Sequence, residues 1–225
     1  MVKNSVVISV GGSLINPDKP DVEYIKKLAS LLKKLHKKYS LGIVVGGGKP
    51  ARDYAKAMRE ISGNESLADR VAILSTFQNA HLVAAALGEV AFFTQSRSFE
   101  FNIPEDKIVL MGGTIPGITT DADAALLAEK MSAVRLVNLS NVDGIYDKDP
   151  KEKGARKIAT LSFEDMLKMA SSSDKRSAGE HFIFDLVACK LIARSRIETH
   201  FVHGKNLADV ENAINGKKHG GSVVK

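Results

Sequence analysis

The alternation of short apolar runs with amphipathic stretches restricts the fold of this chain more than any other feature of its sequence. Residues 5–10 and 41–45 are β-branched runs that each end in glycines, and a helical stretch separates them. A strand, a helix and a second strand of this kind connect naturally as a parallel crossover. Runs of similar character predict further strands at 90–93, 107–110, 135–139, 200–203 and 222–224.

The stretches between these runs favour helices and polar connections. Helices are predicted at 21–39, 50–60, 66–87, 120–131, 163–170, 185–194 and 206–214, with a polar loop at 141–150 and a surface linker at 171–175. This order predicts an α/β domain with a mostly parallel central sheet and helices on both of its faces. Ligands of such folds bind beyond the carboxyl ends of the strands, and the glycine clusters lie at those ends.

The charge of the chain raises the question of a polyanion partner, because 32 Lys and Arg against 26 Asp and Glu leave it at +6. Six lysines fall within 21–39, on the side opposite an apolar stripe spaced by three and four residues. The lysines are Lys26, Lys27, Lys33, Lys34, Lys37 and Lys38, and the stripe is Val22, Ile25, Leu28, Leu31, Leu32 and Leu35. No aromatic residues interleave with the lysines and Trp is absent. We therefore expect a solvated helix face and no nucleic-acid partner.

The composition argues against several other classes of protein. No stretch approaches the ~20 apolar residues of a membrane span, and the N-terminus lacks the long apolar region and cleavage site of a signal peptide. Cys189 is the single cysteine, so an intramolecular disulfide cannot form, as suits a reducing cytoplasm. We expect a cytoplasmic protein without a membrane partner.

Three glycine clusters at successive strand ends carry the chemical signal. They are Gly11-Gly12-Ser13, Gly46-Gly47-Gly48 and Gly112-Gly113-Thr114. None is a P-loop, since Pro50 follows Lys49 where Ser or Thr is required, and none is a G-x-G-x-x-G fingerprint. Tight turns explain any one pair, but three at strand ends indicate an anion or nucleotide-phosphate site.

Four ordered strings resemble the signatures of the amino acid kinase family. They are VGGS at 10–13, VVGGGKPAR at 44–52, MGGTIPGITTD at 111–121 and NVDGIYDKDP at 141–150. Within the family, GGGK-x-AR and GGT-x-PG-x-TTDA are similar to archaeal-type uridylate (UMP) kinases. The resemblance covers residues 5–224 and implies a three-layer α/β sandwich that transfers the γ-phosphate of ATP to UMP. It also implies Mg²⁺ carried by ATP without direct protein ligands, and a homohexamer.

The resemblance divides one kinase domain, 1–225, into an acceptor-nucleotide lobe at about 1–131 and an ATP lobe at 132–225. For the acceptor, Arg52 would clamp the UMP phosphate and Asp69 would bind the ribose. A surface charge and a helix N-terminal charge explain these two residues equally simply. The implied UMP-binding residues are Gly46, Gly47, Gly48, Arg52, Asp69, Gly113, Thr114, Thr119 and Thr120. Thr120 also fits a helix N-cap, with Asp123 three residues later.

For the donor, the resemblance implies that glycine amides meet the ATP phosphates and that a polar loop cups the adenosine, with Tyr146 against the adenine. The implied ATP-binding residues are Gly11, Gly12, Ser13, Asn141, Asp143, Gly144, Tyr146 and Asp149. Asp185 and Arg52 are the implied catalytic residues. Asp185 heads a predicted helix, so N-capping is its alternative role.

One position departs from the family pattern. Ser9 stands where many members carry a lysine aimed at the transferred phosphoryl group. Amides, Mg²⁺, Arg52 or Lys49 would then have to neutralise its charge. Two rival functions stay open: a kinase of another small molecule, such as isopentenyl phosphate, and a nucleotide-binding storage or regulatory protein without turnover. The first rival would require a histidine just after the first glycine pair, where Ser13-Leu14 stands.

Overall fold

The computed structural model describes residues 3–173 and 185–225. Its strands are β1 Ser5–Val10, β2 Ser40–Val45, β3 Ala91–Phe93, β4 Ile108–Met111, β5 Arg135–Ser140, β6 Ile145–Tyr146, β7 Lys157–Ile158, β8 Thr160–Leu161, β9 Glu198–His203 and β10 Ser222–Val224. Its helices are α1 Gly12–Ile15, α2 Val22–His36, α3 Gly48–Ser62, α4 Glu65–Leu87, α5 Thr120–Lys130, α6 Phe163–Ser173, α7 Leu186–Ser195 and α8 Leu207–Ile214.

An eight-stranded sheet runs through the centre in the order β3-β4-β2-β1-β5-β9-β10-β8. Every neighbouring pair in it is parallel except β9 and β10. The prediction of a mostly parallel central sheet is therefore confirmed. The short strands β6 and β7 pair antiparallel in a separate ribbon. The sequence analysis assigned β6 to the polar loop 141–150 and predicted no strand at β7.

Both faces of the sheet are buried, which is why its strands are nearly continuous apolar runs. Val6, Ile8 and Val10 of β1 pack into one core with residues of α2, α4 and α8, whereas Val7 packs into a second core with α5, α6 and α7. This division follows from the two-residue period of a strand. Helices on both faces confirm the predicted three-layer arrangement.

All six lysines predicted to face solvent are exposed, four of them on α2 and two, Lys37 and Lys38, just after its end. Two of them reach the neighbouring α8 region: Lys34 pairs with Glu211 at 2.7 Å, and Lys38 donates to Asn215 at 3.0 Å. The predicted apolar stripe is wrong at Val22, which is 55% exposed in the first turn. Tyr24 is buried instead, and its hydroxyl donates to the Gly204 carbonyl at 3.1 Å.

Two segment boundaries differ from the sequence-based expectation. Helix α3 begins at Gly48, two residues before the predicted start, so the glycine cluster itself forms the first turn. The predicted linker 171–175 is helical at 171–173, where Ser172 donates to the Met169 carbonyl at 2.9 Å. A hydroxyl bonded back to the preceding turn is compatible with helix. Residues 174–175 lie outside the described part of the chain.

Helix α4 with the turn after it, Glu65–Val90, is long and apolar enough by composition to cross a membrane, with a mean hydropathy of 1.3. The expectation that no stretch approaches such a length is therefore too strict. One such helix is weak evidence, because the core helix of a soluble protein passes the same test. Ala80, Val83 and Leu87 of this helix lie in the core that covers the sheet.

The topology places the candidate residues at one edge. Strand β1 lies between β2 and β5, so the chain leaves the sheet in opposite directions on either side of β1. The carboxyl ends of the strands form a crevice at such a switch point. The segments that follow β1, β2, β4 and β5 contain the three glycine clusters and the polar loop 141–150.

Candidate active site

The glycine clusters after β1 and β2 pack backbone against backbone. A Cβ atom built on Gly12 would collide with the Gly48 amide nitrogen and come within 2.6 Å of the Gly46 carbonyl oxygen. Backbone atoms cannot move aside as a flexible side chain can. Only glycine therefore allows these two loops to meet, and the contact places the two predicted phosphate sites side by side.

The amides of these loops divide into two groups. Gly11 donates to the Leu139 carbonyl at 2.8 Å and Gly46 donates to the Val10 carbonyl at 2.9 Å, so both amides extend the sheet. The expectation that the Gly11 amide meets a phosphate is corrected by this bond. The amides that have no acceptor in the described part of the chain are those of Gly12, Ser13, Gly47 and Gly48. These four can bind anions.

Two buried side chains of α4 hold the glycine loops in place. Asn79 donates from Nδ2 to the Gly46 carbonyl at 2.9 Å. The Thr76 hydroxyl accepts the Gly113 amide at 2.8 Å and donates to the Ile73 carbonyl at 2.6 Å. Both are polar residues in an apolar helix, and the family resemblance implies that they lie near the contacts of the acceptor nucleotide.

The loop of residues 112–117, which follows β4, is held in place by hydrogen bonds to two carboxylates. Asp123 accepts both the amide of Thr114, at 3.0 Å, and its hydroxyl, at 2.6 Å. Thr114 is only 2% exposed, so its amide and hydroxyl bind Asp123 rather than a ligand. Asp69 accepts the Gly117 amide at Oδ2 at 2.8 Å, which leaves Oδ1 unbonded within the described residues.

The two cationic side chains beside the Gly46–Gly48 loop differ in whether a carboxylate already pairs with them. Lys49 donates to Asp53 at 2.8 Å and lies 3.7 Å from Asp18, and the bond to Asp53 raises its pKa. Arg52, in the first turns of α3, is exposed and has no partner among the residues the structure describes. Arg52 is therefore the cation that can bind an anion at this loop.

A carboxyl group occupies the region of the missing lysine. The Ser9 hydroxyl donates to Oδ1 of Asp121 at 2.8 Å, and Asn138 donates to the same oxygen at 3.3 Å. Burial raises the pKa of Asp121 to about 7, against the opposing effect of the Ser9 bond, and the charge of Asp185 adds to the rise. Sequence reasoning missed Asp121 and Asn138, although Ser9 and Asn138 are polar residues at paired positions of two buried strands.

Asp185 forms hydrogen bonds at the N-terminal ends of both α5 and α7. Its Oδ1 caps α7 by accepting the amides of Val187 at 2.8 Å and Ala188 at 3.0 Å. Its Oδ2 accepts a hydrogen bond from the hydroxyl of Thr119. N-capping is thus the structural role of Asp185, whereas its part in catalysis stays a prediction.

Thr119, not Thr120, caps α5, since the Thr119 hydroxyl accepts the Ala122 amide at 3.1 Å. The predicted cap was one residue late, because both threonines fit the local pattern and only the backbone direction separates them. The Thr120 hydroxyl has no partner in the described chain, and Thr120 lies beside Gly113. Of the two predicted ligand contacts, Thr120 is therefore the one with a free hydroxyl.

The polar loop after β5 is ordered by a lysine that the sequence analysis did not select. Lys157 donates to Asp143 at 2.8 Å and to the Gly220 carbonyl at 2.6 Å, while the Tyr146 hydroxyl donates to Asp143 at 2.7 Å. Burial alone would raise the pKa of Asp143, but the bonds from Lys157 and Tyr146 outweigh it and lower the pKa.

Other residues of the polar loop 141–150 are positioned by hydrogen bonds or exposed to solvent. The Ile145 amide donates to Ser222 at 2.8 Å, and that hydroxyl lies 2.6 Å from the position of a Cβ at Gly144. A glycine is therefore required there. Asn141 and Asp149 are exposed, and Asp149 accepts the Lys151 amide at 2.9 Å. Contacts of all these residues with ATP stay predictions.

The substitution Asp121→Asn tests the buried carboxyl. Because the folded-state pKa of about 7 lies above the usual 3.8, the group stabilises the fold at low pH, and this contribution is lost as the pH rises through 7. Asparagine keeps an acceptor for Ser9 and removes the ionisation. We expect the variant to melt a few degrees above the parent at about pH 8, with a smaller difference at about pH 5. A difference that does not change with pH would contradict the assignment.

In the part of the chain that the structure describes, these features define an α/β protein in which the amides of two glycine loops can bind anions, beside an unpaired guanidinium group and a cluster of carboxyl groups. Within the described ranges, no group of three His, Cys, Asp or Glu side chains is arranged to hold a metal ion. A family model described as the amino acid kinase family matches residues 4–203. The chain belongs to the amino acid kinase family.

Similar proteins match nearly the whole chain. The uridylate kinases of Thermococcus gammatolerans and Thermococcus onnurineus are 41% and 40% identical to it, each over 97% of this chain and 98% of the relative. The crystal structure of uridylate kinase from Archaeoglobus fulgidus superposes with a TM-score of 0.83 at 34% identity, covering 98% of this chain and 100% of that one. UMP kinase from Bacillus anthracis, with a TM-score of 0.80 at 19% identity over 99% of this chain and 96% of its own, shares the fold.

Proposed function

We propose that this protein is a UMP kinase, which transfers the γ-phosphate of ATP to UMP and releases UDP and ADP. The contact between Gly12 and the Gly46–Gly48 loop carries the proposal, because it brings free amides of two phosphate-binding loops together. Phosphoryl transfer depends mainly on positioning and on neutralising charge. The names of the relatives, which align over almost their full length, support UMP as the acceptor.

The acceptor would lie along α4. The UMP phosphate would accept the amides of Gly47 and Gly48 and the guanidinium fork of Arg52. Asp69 has one carboxylate oxygen available for a ribose hydroxyl, because the other accepts the Gly117 amide. The free hydroxyl of Thr120 completes this side.

The donor would approach from the other loop. Gly12 and Ser13 offer amides to the terminal phosphates of ATP, and the segment ordered by Lys157 and Asp143 would face its adenosine, with Tyr146 against the base. Bound with ATP, Mg²⁺ would neutralise phosphate charge. The Oδ2 atom of Asp121, which has no hydrogen bond to any described residue, suits an indirect contact with the hydration shell of the Mg²⁺ ion.

Among the residues that the structure describes, no cation takes the place of the missing lysine. Ser9 donates to Asp121 where a lysine would have formed an ion pair. The carboxyl group of Asp121 has its pKa raised to about 7, so a large fraction of it is neutral at neutral pH. A neutral carboxyl group repels the phosphates less than an ionised one. Turnover therefore does not require a lysine at this position.

We propose an acceptor lobe at about 1–131 and an ATP lobe at 132–225, with Gly12 and Ser13 reaching the ATP phosphates from the acceptor lobe.

Helices α3 and α4 expose a row of large apolar side chains, and we propose that further copies of the chain cover it in a homohexamer. The row is Tyr54, Ile61, Leu67, Leu74 and Leu82, of which Ile61 is 81% exposed.

A coupled assay of ADP release tests the function. The purified chain with ATP and Mg²⁺ is offered UMP, CMP, isopentenyl phosphate and small carboxylic acids in turn. We expect the highest kcat/KM with UMP. Binding of ATP without turnover of any acceptor would instead support the storage or regulatory alternative, and preference for a non-nucleotide acceptor would support the other kinase.

A further inference from the structure

A cavity of about 290 Å³ opens beside the loop of residues 112–117. Its lining is Arg70, Ile73, Leu74, Arg97, Thr114 and Pro116. The three α4 residues have i, i+3 and i+4 spacing and therefore share one face of the helix. The cavity thus combines apolar walls with two guanidinium groups.

The order of contacts along α4 relates this cavity to the acceptor. Asn79 holds Gly46 of the phosphate loop, Thr76 holds Gly113, and Asp69 holds Gly117. Asp69 and Asn79 are ten residues apart on the helix, which is a rise of about 15 Å, enough for an extended mononucleotide. A phosphate at the Gly46–Gly48 loop and a ribose at Asp69 direct the base into the cavity.

The two arginines are not engaged elsewhere. Neither Arg70 nor Arg97 has a hydrogen bond or ion pair with any other described residue, whereas Arg59, Arg135 and Arg194 are all paired with glutamates. A guanidinium group offers five N–H donors and no acceptor. The Thr114 hydroxyl is bonded to Asp123. The free side-chain polar groups of the cavity are therefore donors only.

We propose that Arg70 and Arg97 select the acceptor base by its carbonyl oxygens. Uracil presents carbonyl oxygens at C2 and C4, and both accept hydrogen bonds. Cytosine has an amino group at C4, which is a hydrogen-bond donor. It would face a guanidinium donor, so neither group would find an acceptor and cytosine would bind more weakly. This selection of uracil over cytosine rests on the proposed function and adds the residues that determine its specificity.

The substitutions Arg70→Gln and Arg97→Gln test the selection. A glutamine amide offers an acceptor as well as donors, so it can satisfy the cytosine amino group. With ATP as donor, we expect the ratio of kcat/KM for UMP to that for CMP to fall on the order of tenfold in the double variant, while KM for ATP is unchanged. Both arginines are exposed, so the variants should fold, which thermal melting would verify.

Arg59→Gln is the matched control, because it removes the same charge from the neighbouring helix at a residue that is paired with Glu65 and does not line the cavity. Its UMP to CMP ratio should equal that of the parent. An unchanged ratio in the Arg70 and Arg97 variants, or an equal fall in the control, would overturn the selection while leaving UMP kinase activity intact. A parent protein that phosphorylates neither UMP nor CMP would instead contradict the proposed function.

Discussion

Replacing Arg52 with alanine is expected to raise KM for UMP on the order of 100-fold, while KM for ATP stays within about twofold of the parent value. The guanidinium group is exposed and has no partner among the described residues. It can therefore form two parallel charge-assisted bonds to the acceptor phosphate. The amides of Gly12 and Ser13 that would face ATP are unaffected. Steady-state kinetics with each substrate varied in turn provides the measurement.

Lys56→Ala is the control for this substitution, since Lys56 lies one turn further along α3 and, among the described residues, pairs only with Glu60, at 3.9 Å. Its kinetic constants should match those of the parent. Arg52→Lys keeps the charge but not the planar fork, so it should fall between the parent and the alanine variant. Equal increases in KM for both substrates would show that Arg52 does not belong to the acceptor site.

Replacing Gly12 with alanine is expected to reduce kcat/KM on the order of 100-fold or more and to destabilise the fold by about 1–3 kcal/mol. The new methyl group would collide with the backbone of Gly46 and Gly48. The loops after β1 and β2 would have to separate, and an error of about 1 Å in the position of reacting groups costs roughly 100-fold in rate. Thermal melting and the ADP-release assay measure the two effects separately.

Gly63→Ala separates this collision from the general effect of losing a glycine. Gly63 caps the end of α3 at φ 63°, and apart from its chain neighbours and the helix backbone no described residue has an atom within 4 Å of the position of an added Cβ. The variant should lose about 1–2 kcal/mol of stability through backbone strain alone, and keep its kcat/KM. If Gly12→Ala lost no more activity than Gly63→Ala, the contact between the two loops would have no role in catalysis.

The elements of the fold could largely be predicted from the sequence because their signals are local. The apolar run of β1 and the stripe of α2 follow from the periods of a strand and a helix, and both were correct apart from Val22. The ribbon of β6 and β7 was missed because strands of two residues leave almost no periodicity. The start of α3 was placed late because Pro50 was taken as the first turn, whereas the free glycine amides precede it.

The sequence indicated which loops form the candidate site, but it did not indicate reliably which atoms of those loops are available to a ligand. Arg52 lies free beside its glycine loop, as the pattern indicated. The amide of Gly11 proved to be used by Leu139, and the capping role belonged to Thr119 rather than to Thr120. A motif indicates which residues lie near a ligand, but the available donors depend on partners that are distant in the chain.

The sequence by itself determined the order of the longer strands and helices, the positions of the glycine loops and the resemblance to the amino acid kinase family, since each depends on residues close together in the chain. Only the tertiary structure decided that Gly12 meets Gly48, that Asp121 takes the hydrogen bond of Ser9 over 112 residues of separation, and that Arg70 and Arg97 line one cavity. Backbone contact, burial and hydrogen-bond partnership arise when distant segments pack together, and local composition does not specify those distances.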